Sequence, residues 1–208
     1  MNMMDGKNTL EPDLDFLRGL VEGGGNRTQY LTGHAFAVGG GLYAFQCFAN
    51  WLLVILALDL PGIVWITLHS LPTVIFLAYC VWQGVRYGAS NTGNATSRAI
   101  TAAFQAAGFT NLALILIFAP TAIGRNDFTI WLFYPAVVFA LQGAAWLTAY
   151  QLRRRLWLLG VALGWMVSAV ALGLLIGNLA YLLVAGGALF LFMTVPGIVM
   201  VRLSKNQD

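Results

Sequence analysis

The chain has 208 residues, of which 59% are apolar and 9% charged, and its net charge is +3 at neutral pH. Its mean hydropathy is +0.76. A soluble domain carries about 25% charged residues, so this composition excludes a water-covered surface over most of the chain. Lipid is the expected solvent, and the size fits one all-α integral membrane domain.

Residues 1–34 are expected to form a polar cytoplasmic segment. Asp5, Glu11, Asp13, Asp15 and Glu22 leave no apolar core for a signal peptide, so the first transmembrane helix is expected to direct insertion itself. Pro12 suits a first helical position, and Asp13 and Asp15 suit the positive end of a helix dipole. Leu14, Leu17, Leu20 and Val21 then fall near one face, and Gly23-Gly24-Gly25 is expected to end this short amphipathic helix. Such a helix lies on the membrane surface or docks on the bundle, or else it docks a cytoplasmic partner.

Six apolar segments follow at about 35–58, 63–83, 99–121, 129–151, 156–176 and 178–201, with a tail at 202–208. Each is near the roughly 20 residues that cross the hydrocarbon core. The fold class is thus a six-transmembrane-helix bundle of three same-orientation hairpins. The first closes at Asp59-Leu60-Pro61-Gly62 and the third at Gly177-Asn178. The small polar stretch 88–96 joins the first hairpin to the second.

Basic residues set the expected orientation. Lys7, Arg18, Arg27, Arg86, Arg98, Arg153, Arg154, Arg155, Arg202 and Lys205 fall on one side, and Arg125 alone of the 11 falls on the other. Positive residues stay inside, so both termini are expected in the cytoplasm of a multi-pass cell-membrane protein of bacterial inner-membrane type. Trp65, Trp131 and Tyr181 fall near the outer interface, and Trp82, Tyr87, Tyr150 and Trp157 near the inner one. The positive charge is read as topology, and no nucleic-acid partner is expected. Arg153, Arg154 and Arg155 form a stop-transfer cluster that also suits contacts with anionic lipid head groups.

Two hairpins share a pattern. Phe48-Ala49-Asn50 resembles Phe109-Thr110-Asn111, and Leu71-Pro72-Thr73-Val74 resembles Tyr134-Pro135-Ala136-Val137. Asn and Pro lie at similar depth in each pair. The third hairpin matches weakly, with Ser168 in the Asn region and Pro196 deeper toward the inside. A helical proline frees the carbonyl four residues earlier, here Leu68 and Trp131. A carbonyl in lipid needs a partner, so Asn50 and Asn111 are expected to donate across to them. Gln105 and Gln142 match in depth and are expected to bond each other. The alternative makes Asn50, Asn111, Gln105 and Gln142 the lining of a solute path. Small residues at Ala99, Ala103 and Ala107, and at Gly160, Gly164 and Ser168, offer close-packing edges. One edge is available for a homo-oligomer or a partner membrane protein.

No Asp, Glu, Lys or Arg lies in the middle of any segment, which argues against an ion-coupled pump or a carboxylate metal site. His34 and His69 fall near opposite membrane faces, too far apart in depth to ligate one haem, and His69 is read as a hydrogen-bonding residue near the Pro72 kink. Cys47 and Cys80 lie in apolar runs and read as inert small hydrophobes. The bundle lacks a lysine for a Schiff base. No cofactor is expected. The function expected from these features is a non-enzymatic accessory, assembly or sensing role, with membrane lipid as a partner. The alternative is a transporter or channel for a small solute or lipid-like substrate, acting as an oligomer.

Overall fold

The computed structural model describes residues 5–87 and 95–205, and their side chains from Arg27 onward. The described chain is helical, in the order α1 (Asp5–Ile55), α2 (Gly62–Tyr87), α3 (Ala95–Arg125), α4 (Phe128–Arg153), α5 (Leu156–Leu174), α6 (Ala180–Leu189), a π-helical turn (Phe190–Thr194) and α7 (Val195–Lys205). Six helices are long and apolar enough to cross a membrane, counting α6, the π turn and α7 as one. They point to a polytopic membrane protein.

Helix α1 corrects one expectation. It runs unbroken through Gly23-Gly24-Gly25 and past residue 34, so no boundary separates an N-terminal helix from the first span. Glycine costs about 1 kcal/mol per position in a helix but does not forbid one, and no proline follows to stop it. The face of Leu14, Leu17, Leu20 and Val21 lies outside the described side chains, and most of the 88–96 stretch lies outside the described residues. Helices α2, α3 and α7 also extend beyond their apolar runs, to Tyr87, back to Ala95 and to Lys205. Interfacial Tyr, Arg and Lys remain helical where hydropathy has already fallen.

The turns are tight and locally capped. Asp127 caps α4, its carboxylate accepting from the Thr129 N–H at 2.9 Å. Arg154 takes the left-handed conformation (φ 53°) between α4 and α5. The Asn178 side chain accepts from the Ala180 N–H at 2.9 Å.

The core lies in the C-terminal half. Helices α4 and α5 share an extensive interface, and α1 packs along the whole last span of α6, the π turn and α7. Trp146, Trp165 and Leu172 are the largest side chains to be fully enclosed. The Phe139 ring meets Trp165 edge-to-face at 4.6 Å. Tyr181, expected near the outer interface, is buried in this core, where its hydroxyl donates to the Leu132 carbonyl at 2.8 Å. Helix α2 packs mainly on α1 and α3 mainly on α4, and both present large apolar side chains outward.

The closest helix crossing joins α1 to the last span. A β-carbon on Gly197 would stand 2.5 Å from the Ala37 nitrogen and 2.6 Å from the Gly33 carbonyl oxygen. A β-carbon on Gly40 would stand 2.6 Å from Thr194 Oγ1. These glycines let the backbones touch. The edge expected at Gly160, Gly164 and Ser168 is different in kind. Gly160 faces open space, Gly164 receives the Phe192 ring, and Ser168 bonds the Gly164 carbonyl of its own helix at 2.7 Å.

Candidate functional site

The sequence-based polar residues do not converge. Asn50 is 7% exposed, yet its amide donates to the Gln46 carbonyl of its own helix at 3.0 Å. A short side chain satisfies the carbonyl one turn back more readily than one on another helix. The crossing to α2 is made by the longer Gln46, whose Nε2 donates to the His69 carbonyl at 3.4 Å. Asn111 does not reach the Trp131 carbonyl either. It accepts a hydrogen bond from the Tyr134 hydroxyl at 2.7 Å, beside Pro135. Gln105 is exposed and Gln142 half-buried, and among the described residues no hydrogen bond joins them.

The physical idea behind these expectations is realised by other donors. Tyr181 bonds the carbonyl three residues before Pro135, and Gln46 the carbonyl three residues before Pro72. The proline ring crowds the carbonyl four residues back, so a lateral donor finds its neighbour instead. Pro196 is the exception, for Trp165 Nε1 donates to the Phe192 carbonyl at 3.0 Å. The π turn beside it opens that carbonyl sideways. His69 Nδ1 lies 2.8 Å from the Trp65 carbonyl of its own helix.

The residues that do converge lie at the end of the bundle where the basic residues gather. A cavity of about 550 Å³ opens there between α1, α2, α3, α4, α5 and α7. Its volume is in the range of small-molecule pockets. Of the four residues proposed for a solute path, Gln105 alone lines it. Its apolar wall is an aromatic cluster: Phe36 meets Phe104 at 5.0 Å, Phe104 meets Trp146 at 5.3 Å, and Trp146 meets Trp157 at 6.1 Å. Its polar wall includes Gln29, Thr32, Gln83, Ser97 and Thr101.

Arg153 anchors the polar wall. It is half-buried, and its guanidinium donates to Gln29 Oε1 at 3.0 Å and to Ser97 Oγ at 3.5 Å. Gln29 in turn donates to the Met200 carbonyl at 3.4 Å, which ties α4, α1, α3 and α7 together at this end. Gln83 donates to the Leu31 carbonyl at 2.9 Å and fixes α2 to α1. The arginine cluster is therefore split. Arg153 and Arg155 line the cavity, whereas Arg154, in its left-handed turn, does not.

Helices α2 and α3 scarcely touch. The cavity wall is thus incomplete between Cys80 and Gln83 on one side and Thr101 and Gln105 on the other. Sequence reasoning missed Gln29, Gln83, Ser97 and Thr101, which stand near the ends of the membrane spans and look like ordinary interfacial polar residues. The available signal was their shared depth with Arg153, counted from the same basic flank. No protein-family model matches the chain, and no curated protein or solved structure matches it.

Proposed function

We propose that this polytopic membrane protein has a non-enzymatic accessory or sensing role, exerted by binding a small or lipid-like molecule in the cavity at its basic end. The cavity carries this reading. It joins an aromatic wall to a short row of polar side chains, the composition of a ligand site, and its gap between α2 and α3 offers entry from the bilayer. The basic residues support an orientation with this end, and both termini, in the cytoplasm. A transport role along Asn50, Asn111, Gln105 and Gln142 has less support, because Asn50 and Asn111 bond within the bundle away from the cavity.

Gentle detergent extraction followed by native mass spectrometry tests the proposal. The expected result is a small molecule or lipid retained by the wild-type chain and lost from Thr101→Trp, which fills the cavity from the α3 side. Equal retention by both proteins, or none by either, would overturn it.

A further inference from the structure

We infer that the cavity takes a lipid whose phosphate head carries net negative charge, with the head on Arg153 and Arg155 and the chain running past Phe104 out through the gap between α2 and α3. The inference rests on the ligand-binding reading above and names the ligand's class.

The charge distribution points to an anion. A half-buried cation is costly unless paired, and Arg153 bonds two neutral side chains, Gln29 and Ser97. Those bonds occupy two of the five N–H donors of a guanidinium. Among the described side chains the carboxylates are Asp59 and Asp127, both in turns at the opposite end of the bundle. Arg155 faces the same cavity and adds a second cation. The N-terminus of α5 begins at Leu156 with no side-chain cap, and its dipole favours negative charge at the same place. Two guanidiniums and a helix start thus face one cavity with no carboxylate among the described residues to balance them. Arginine forks bind phosphate through paired N–H donors.

The other wall points to a chain. Phe36 and Phe104, backed by the enclosed Trp146, offer an apolar, ring-lined surface directly below the arginines. A free phosphate would leave that surface to water. A lipid would cover it, and the gap beside Cys80 and Thr101 lets the rest of the chain remain in the bilayer. Polar head and apolar tail follow the cavity's own polarity gradient.

The test uses the full chain in neutral detergent with Cys47→Ala, so that Cys80, which lines the cavity, is the one thiol. Binding is read by native mass spectrometry and by the rate at which a small maleimide labels Cys80. Phosphatidic acid is expected to bind about tenfold or more tightly than phosphatidylcholine of the same chains, and to slow Cys80 labelling. Arg153→Gln is expected to abolish the preference, and Arg154→Gln, outside the cavity, to leave it unchanged. Equal binding and equal Cys80 protection by both lipids would overturn the anionic head while leaving a cavity ligand standing. Protection by inorganic phosphate alone, matching that by the lipid, would overturn the chain. No protection by any lipid would overturn this inference, whereas the ligand-binding reading falls only if the wild-type chain also retains no small molecule that Thr101→Trp loses. If Arg153→Gln fails to fold, the head-group series on the unsubstituted arginines, together with Arg155→Gln, still decides.

Discussion

The Trp165 indole donates to the Phe192 carbonyl at 3.0 Å, and Pro196 is the residue that deprives that carbonyl of its usual backbone donor. The π turn at Phe190–Thr194 lies on this spot, and Trp165 is 1% exposed. One side chain therefore fills the α4–α5 core and satisfies the backbone of the last span. Trp165→Phe keeps most of the ring and removes the donor, and is expected to destabilise by about 1 kcal/mol. Trp165→Ala also opens a cavity and is expected to cost roughly 3–5 kcal/mol. Unfolding of the purified protein in mixed micelles measures both. Equal effects would show that the hydrogen bond alone matters at this position, and no loss in Trp165→Phe would show that packing alone does.

Glycines separate the true crossing from the apparent one. Gly197→Ala would drive a methyl group into the backbone of α1 at Gly33 and Ala37, and nothing flexible lies there to yield. The expected loss is roughly 1–3 kcal/mol. Gly160→Ala meets open space and is expected to be neutral, or stabilising by up to about 1 kcal/mol. Thermal melts of the two variants in the same detergent compare them directly, and a larger loss at Gly160 would refute this packing.

Some of this was legible in the sequence and some was not. The spans were, because a run of apolar residues long enough to cross a bilayer leaves few alternatives. Proline as the source of unpaired carbonyls was legible too. The donors were not, because depth along a helix says nothing about rotation around it. Asn50 stands at the depth of Pro72 but turns to its own helix, while Gln46, one turn away, makes the crossing. The weakest of the three repeat matches, at Pro196, carries a direct rescue of the carbonyl four residues before its proline. Arg153, Arg154 and Arg155 read as one cluster in sequence. A single left-handed residue between two helices divides them, and that division decides which arginines face the cavity.

Tyr134 and Asn111 form the polar link between α4 and α3 nearest Pro135, at 2.7 Å. A double-mutant cycle of Tyr134→Phe and Asn111→Leu is expected to show a coupling of about 0.5–1 kcal/mol. The same cycle with Asn50→Leu in place of Asn111→Leu is expected to show none, since Asn50 bonds the Gln46 carbonyl. A coupling at Asn50 as large as that at Asn111 would contradict these partners.

The orientation expected from the charges can be read by labelling. Asp59 stands in the turn between α1 and α2, at the end that holds Arg125, and Gln151 near the end of α4 beside the arginine cluster; both are exposed. Moving basic residues across a bilayer is what the positive-inside bias resists, so the arginine-rich end is expected in the cytoplasm. In a chain freed of Cys47 and Cys80, Asp59→Cys is expected to react with a membrane-impermeant maleimide in intact cells. Gln151→Cys is expected to react after the membrane is opened and not before. Neither substitution removes a basic residue, so the charge bias that sets the orientation is untouched. The reverse pattern would place the cavity and its arginines on the outer face, and the cytoplasmic sensing role proposed for that end would fall with it.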